Sequence, residues 1–390
     1  MKKNYFGLIP PPKTPDPNLA AKERFLADKS TDAVNLGIGE IMDKDGNTWN
    51  QATAYVDTMQ NLIQEKGYFL GSYITPDPDL LEKSRQFILE LLNIPKKVWP
   101  YTVVEFTSGG GTSALGDAVD FLKMQYPLKE LNVQNLSWPG YKSIATRRNL
   151  QLKTIPINIS EFGDCNILQP CHNSTGYILQ EKEWRQYAKE QKLTIVDIPY
   201  LGFEYAHLPY AEALKKSTSF IETFLECDAP LMIAFSPTKI FNTFYARPGG
   251  VFIAICRSAE EKQNAQGIWK TVSRGGSGFM SLTTYALIAT MAQNKTALLK
   301  DHENLILRVQ EAARDWSKFA QGDLKKYFTK DYGGMFRAFQ ATDNAALTLA
   351  DQHIHVVDNG QKTIRIAITG LPQNDKTESI VQKVSKVTME

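Results

Sequence analysis

Leu193-Thr194-Ile195-Val196-Asp197-Ile198, followed at once by Pro199-Tyr200, is a run of apolar and β-branched residues that carries one carboxylate near its end. Hydrophobicity that is continuous rather than alternating marks a strand covered on both faces, as in a mostly parallel sheet between layers of helix. Working outward, six more short apolar runs alternate with longer mixed stretches: Val103 to Phe106, Leu131 to Leu136, Leu152 to Ile157, Asn166 to Gln169, Leu231 to Phe235 and Val251 to Ile255. Short strands spaced by helix-length segments define an α/β domain, here with seven strands. Asp197 stands out in this pattern. A carboxylate without a partner is costly to bury, so it needs a cationic partner or a polar cleft, or else it caps the segment that follows.

The chain has 390 residues, enough for one large domain and a smaller one at roughly 150 residues per domain. Lys+Arg 44 against Asp+Glu 42 leaves a net charge of +2, with no excess that would draw in a nucleic acid. Four scattered cysteines (Cys165, Cys171, Cys227, Cys256) form no Cys-x-x-Cys pair and no disulfide framework, which fits a reducing, cytoplasmic setting. The N-terminus runs into Pro10-Pro11-Pro12 without an apolar signal core, and no stretch reaches the roughly 18 apolar residues of a membrane span.

Outside the seven runs, Asp77-Pro78 starts a helix that Asn93-Ile94-Pro95 stops, with Leu80, Leu81, Phe87, Ile88, Leu91 and Leu92 on one face. Leu305, Val309, Ala312, Trp316 and Phe319 recur at helical spacing along a second, longer helix that leads into a tail of small α+β character. That tail holds strands near Gly334 to Phe339, His353 to Val357 and Thr363 to Ile368. The expected division is 1–45 as an N-terminal segment joining the small domain, 46–300 as the large α/β domain and 301–390 as the small domain.

Four segments with chemistry sit at the carboxyl ends of strands, where open α/β sheets form their ligand crevice. Ser108-Gly109-Gly110-Gly111-Thr112 precedes a helix and reads either as a phosphate seat on the helix N-terminus or as a tight turn. It has neither the lysine of a Walker loop nor the Gly-x-Gly-x-x-Gly of a dinucleotide fold. Ser236-Pro237-Thr238-Lys239, with Arg247 eight residues on, offers a hydroxyl and a guanidinium for a phosphate beside an amine able to form an imine; the alternative is a surface cation. Asp197 with Tyr200 is the third segment. Cys171-His172-Asn173-Ser174-Thr175-Gly176, which by itself also reads as an Asx turn, is the fourth.

In this order, the Gly-Gly-Thr turn, Ser137-Trp138-Pro139-Gly140-Tyr141, the Asn173 segment, Asp197-x-x-Tyr200, Ser236-x-x-Lys239 with Arg247, and Arg365-Ile366-Ala367-x-x-Gly370 resemble the class I aminotransferases that use pyridoxal phosphate. The likeness is to the aspartate and aromatic amino acid branch. Val34-Asn35-Leu36-Gly37-Ile38-Gly39 and Lys66-Gly67-Tyr68 extend it to residues 33–371. The resemblance implies fold type I, a large domain with a seven-stranded mostly parallel sheet plus a small α+β domain, and transfer of an amino group between an L-amino acid (aromatic or aspartate) and a 2-oxo acid by a ping-pong mechanism. Lys239 would form the internal aldimine and shuttle the proton, Asp197 would pair with the pyridine nitrogen, and Tyr200 and Asn173 would bond the phenolic oxygen. Trp138 would stack on the ring. Gly111, Thr112, Ser236 and Arg247 would hold the phosphate, with Tyr68 reaching in from the second subunit of a homodimer. Arg365 would clamp the substrate carboxylate beside Gly39, with Asn173 and Trp138 also at the substrate.

Two departures from that pattern are Ser174 in place of a proline and Gly110 in place of a phosphate-binding serine. At the distal side-chain pocket, where aspartate-using relatives carry a second arginine, counting back from Ser273-Arg274-Gly275-Gly276 puts Trp269, with Lys270 and Arg274 nearby. An apolar residue there favours aromatic substrates over aspartate. The same cofactor residues would serve a β-elimination lyase or a cofactor-binding regulator. His353 and His355, two apart, read as one exposed face of a strand, and no metal is inferred.

Overall fold

The computed structural model describes residues 16–43, 47–49, 53–65, 73, 75–276 and 278–389. In chain order the first eight strands are β1 (Val34–Asn35), β2 (Thr102–Thr107), β3 (Glu130–Gln134), β4 (Gln151–Ile155), β5 (Cys165–Leu168), β6 (Leu193–Ile198), β7 (Leu231–Phe235) and β8 (Gly250–Ile255). The last four are β9 (Phe336–Gln340), β10 (Ile354–His355), β11 (Val357–Asp358) and β12 (Thr363–Ala367). Strands β2 to β8 form one seven-stranded sheet in the order β2-β8-β7-β6-β5-β3-β4. All seven apolar runs are therefore strands, each within two residues of its expected ends.

Only β8 runs against its neighbours β2 and β7; the remaining pairs are parallel. Its connection explains the exception. A parallel neighbour needs a crossover, usually through a helix, whereas the link from Phe235 to Gly250 contains only the one-turn helix Pro237–Ile240.

Successive residues of the central strands go to opposite faces, and both faces are covered. Val196 and Ile198 of β6 join Val104, Ile233 and Ile253 in one buried cluster that the helices Pro78–Leu91 and Leu282–Gln293 complete. Ile195, with Val103, Met232 and Phe252, packs into a second cluster under the helices Gly111–Lys123 and Ala259–Gly276. This two-sided burial is what the unbroken apolar runs required.

The C-terminal part builds a second core. An antiparallel sheet of order β11-β12-β9 packs with Trp316, Leu349, Ile380 and Val384, and the short β1 returns to it by pairing parallel to β10. The helix Lys295–Phe319 spans the two cores: Leu298 belongs to the large one, and Trp316 to the small one, where its indole N–H donates to Ile368 O at 3.1 Å. The histidine expectation needs correction. His355 is buried, and both His355 Nε2 (2.8 Å) and His353 Nδ1 (3.0 Å) bond Asp28 Oδ2, which ties this strand to the end of the helix Pro17–Ala27.

Candidate active site

The carboxyl ends of β5, β6 and β7 and the helix after β2 converge on a cleft of about 550 Å³, closed on its far side by Arg365 from β12 and by the N-terminal helix. Gly39, Gly111, Thr112, Trp138, Asn173, Asp197, Tyr200, Ser236, Lys239, Arg247 and Arg365 all line it. Tyr68, with Lys66 and Gly67, lies outside the described residues. Chain positions more than 300 residues apart are thus brought into one wall.

The glycine turn works through backbone shape. Gly109 and Gly110 have φ of 103° and 76°, and Gly110, with ψ −165°, lies in a region essentially closed to residues with a Cβ. The helix Gly111–Lys123 then starts with its free N–H groups and positive dipole end at the cleft. A Cβ at Gly111 would come within 2.8 Å of Ser236 Oγ, so the hydroxyl lies directly against the turn. Ser236 is fixed in turn by its N–H, which donates to Ile198 O at 3.2 Å. Arg247 completes this end of the cleft in a left-handed backbone conformation, φ 41°.

Asp197 is 4% exposed at the end of β6. Its Oδ2 accepts from Tyr141 Oη at 2.6 Å and from Gln169 Nε2 at 3.2 Å. Burial pushes its pKa up to about 6, against the Tyr141 bond, the charge of Lys239 and the Gln169 bond, which favour the carboxylate. Gln169 is itself tied down: its Oε1 accepts from the Asn173 N–H at 3.0 Å, and its own N–H donates to Gln134 Oε1 at 2.9 Å. Asn173 Nδ2 donates to Tyr200 Oη at 3.1 Å, while Asn173 Oδ1 is buried with no hydrogen-bond partner among the described residues.

Lys239 stands on the one-turn helix after Ser236, its Nζ 4.9 Å from the centroid of the Tyr200 ring. Burial lowers its pKa; Asp197 opposes the shift, and Arg365 and Arg247 reinforce it. An amine so placed loses its proton more readily than a surface lysine, as a nucleophile must.

Arg365 is 6% exposed. Its Nη2 donates to Asn18 Oδ1 at 2.7 Å and to Gly37 O at 2.8 Å, its guanidinium lies 4.4 Å from the centroid of Phe336, and its Nε is buried without a hydrogen-bond partner among the described residues. Burial brings its pKa down to about 10, so it stays a cation at neutral pH. Gly39 is required by close approach, because a Cβ there would collide with Phe336.

The structure accounts for both departures seen in the sequence. Gly110 is held by its backbone angles, and Ser174 Oγ donates to Leu136 O at 2.7 Å, which fastens the loop without a proline. It overturns the placement of Trp269 at a distal pocket. That indole is 5% exposed and stacks on Phe252 at 4.6 Å in the chain's own core. Arg274 lies apart from the cleft, 4.8 Å above the Phe279 ring, and Lys270 is exposed on the same helix.

Sequence reasoning also missed part of the wall. Asp16, Asn18 and Leu19 come from the helix Pro17–Ala27, whose Asp-Pro start is the same signal that marks Pro78; Glu40 and Gln169 were not singled out either.

The profile of the family aminotransferase class I and II matches residues 31–376. The chain is 23% identical to the aromatic-amino-acid aminotransferase of Paracoccus denitrificans, over 95% of this chain and 97% of that one. It is 24% identical to the aspartate aminotransferase of Salmonella typhi, over 92% and 94%. Among solved structures, the aromatic-amino-acid aminotransferase from Burkholderia pseudomallei, covalently bound to pyridoxal phosphate, superposes with a TM-score of 0.82 at 19% identity, covering 99% of this chain and all of that one. The match over most of the chain means that it belongs to the class I and II aminotransferases, in the branch of the aspartate and aromatic-amino-acid enzymes.

Proposed function

We propose that the cleft holds pyridoxal 5′-phosphate and transfers an amino group between an L-amino acid and a 2-oxo acid in two half-reactions of a ping-pong cycle. The observation that carries this is the grouping of a half-buried lysine, a buried carboxylate and a helix N-terminus flanked by Ser236 and Arg247 in one cleft, opposite an arginine held for a carboxylate. The donor set fits the group: helix N–H groups, Ser236 and Arg247 for a phosphate, Asp197 for a cationic ring nitrogen, Tyr200 and Asn173 for a phenolic oxygen. When bound, pyridoxal phosphate supplies an aldehyde that condenses with amines and a ring that draws electrons from the substrate Cα.

The chain's own residues do the rest. Lys239 Nζ would take the proton from the substrate Cα and hand it to the cofactor's aldehyde-derived carbon, and would run the same transfer in reverse in the second half-reaction. Asp197, ionised, keeps a proton on the ring nitrogen opposite it. Arg365 orients the substrate through its α-carboxylate, and Trp138 covers one face of the cleft. A homodimer whose second subunit brings Tyr68 to the phosphate completes the site.

Protein loaded with the cofactor should be yellow, lose that colour on adding an L-amino acid alone, and regain it with a 2-oxo acid. Borohydride reduction followed by peptide mapping should place the cofactor on Lys239. A label on another lysine, or no colour change with any amino acid, sinks the proposal. Lys239→Ala should keep the fold and lose several orders of magnitude in turnover, because nucleophile and proton carrier go together.

A further inference from the structure

Tyr141 lies behind the cleft rather than in it. It is 1% exposed, its hydroxyl sits 2.6 Å from Asp197 Oδ2, and its ring meets Trp138 edge-on at 5.4 Å and 83°. Burial and the neighbouring carboxylate hold the phenol far above its usual pKa, so it stays protonated and donates. Gln169 donates to the same oxygen at 3.2 Å. Oδ1 accepts no hydrogen bond among the described residues, and Asp197 lines the cleft.

We infer that Tyr141 is a positioning residue for the reaction: with Gln169 it saturates Oδ2, so that Oδ1 is the oxygen left to meet a cationic ring nitrogen, while its ring edge sets the tilt of Trp138. This rests on the proposal that the cleft binds pyridoxal phosphate. A phenol donating to a carboxylate is a charge-assisted bond that favours the ionised acid. It offsets part of the burial that would otherwise keep Asp197 protonated. A carboxylate with one oxygen engaged twice also cannot rotate, which fixes the direction of its free lone pairs.

The test is Tyr141→Phe, which keeps the ring against Trp138 and removes the donor. In the loaded enzyme, the half-reaction rate constant with L-phenylalanine should fall roughly tenfold to a hundredfold with KM little changed, the equivalent of one charge-assisted hydrogen bond. The acid limb of the rate profile should move up, because without the phenol donor Asp197 is more easily protonated.

A second measurement needs no cofactor. In the apo-protein the variant's Asp197 pKa rises further above its unfolded value, and a raised acid contributes stability at low pH that is lost as pH rises. The gap in Tm between wild type and Tyr141→Phe should therefore be wider near pH 8 than near pH 5. A gap equal at both pH values, or an unmoved rate profile, means Tyr141 only packs, and overturns the inference. If Tyr141→Phe does not fold, Gln169→Met removes the other donor to the same oxygen and should shift both readouts in the same direction. Should wild type bind no cofactor, the function proposal fails while the apo-protein comparison still decides whether the bond tunes Asp197.

Discussion

Asp197 shows how one residue links stability to function. With a pKa near 6 in the folded chain against about 3.8 for a free carboxyl, its neutral form stabilises the apo-protein below pH 4, and that contribution is lost as pH rises through 6. A shift of about two units corresponds to roughly 3 kcal/mol at neutral pH, set against the site's need for a carboxylate. Asp197→Asn should therefore be more stable than wild type as apo-protein near pH 8, with the difference vanishing near pH 4. Buried Glu204, raised to about 7, contributes a slope in the same range, but it is common to both proteins and cancels in the comparison. Pyridoxal phosphate should stabilise wild type strongly and the Asn variant less, and half-reactions of the variant should be crippled. Calorimetry of both proteins with and without cofactor checks this; equal pH slopes would remove the raised Asp197 from the account. Glu40 acts at the same scale. It lines the same cleft as Arg365, its backbone carbonyl accepts from the Thr369 hydroxyl at 2.7 Å, and its carboxylate has no ion pair among the described residues. With Trp269 committed to the core, a preference for aromatic substrates over aspartate needs another source, and Glu40 offers one, because a carboxylate in the cleft would repel the distal carboxylate of aspartate. Glu40→Gln should narrow the ratio of kcat/KM for phenylalanine over aspartate by about tenfold, worth near 1.4 kcal/mol. An unchanged ratio in an amino acid panel would show that Glu40 points away from the side chain.

At the scale of elements, the glycine turn before the helix Gly111–Lys123 carries a prediction of its own. Gly110→Ser supplies the serine that the family resemblance leads one to expect here, yet φ 76° with ψ −165° is a conformation that costs a side chain about 1–3 kcal/mol. The variant should lose that much stability and weaken cofactor affinity, because the turn that aims the helix N–H groups must shift; tighter binding would show that the loop rearranges freely. The central strands were legible because burial on both faces keeps their runs mostly apolar, and β6 and β7 match their expected bounds. The helix Pro17–Ala27 was not: Ala21 is its only buried residue, Leu19 and Leu26 are exposed, and no apolar stripe betrays it. The bonds of Tyr141 and Gln169 were equally hidden, since they depend on which strands become neighbours and in what register, which one sequence does not encode locally. Trp269 was misplaced by counting along a motif, although Ala265, Trp269 and Val272 at helical spacing already described a buried stripe.

For the whole molecule, the deciding question is whether one chain makes one complete site. Residues from positions 16 to 365 build a single wall in one protomer, but the phosphate end as described has the helix turn, Ser236 and Arg247 alone, with Tyr68 expected from a second copy. Near the end of the helix Ala259–Gly276, exposed Tyr73 stacks on Phe279 at 4.3 Å beneath Arg274, an aromatic surface of the kind that subunit interfaces cover. A homodimer with shared sites makes a prediction that a monomer cannot meet. Tyr68→Ala and Lys239→Ala should each be impaired when pure, for different reasons. In a mixed dimer, one site takes Lys239 from the first variant and Tyr68 from the second, so it is fully wild type, while the other site carries both defects. Random reassortment of equal amounts puts half of the molecules in mixed dimers, so activity should return to about a quarter of the wild-type value. The measurement is turnover before and after the two purified variants are dissociated and reassociated together, with sedimentation to establish the dimer. Activity that stays at the average of the two pure variants would show that Tyr68 serves its own chain's site, and that the cleft is complete within one protomer.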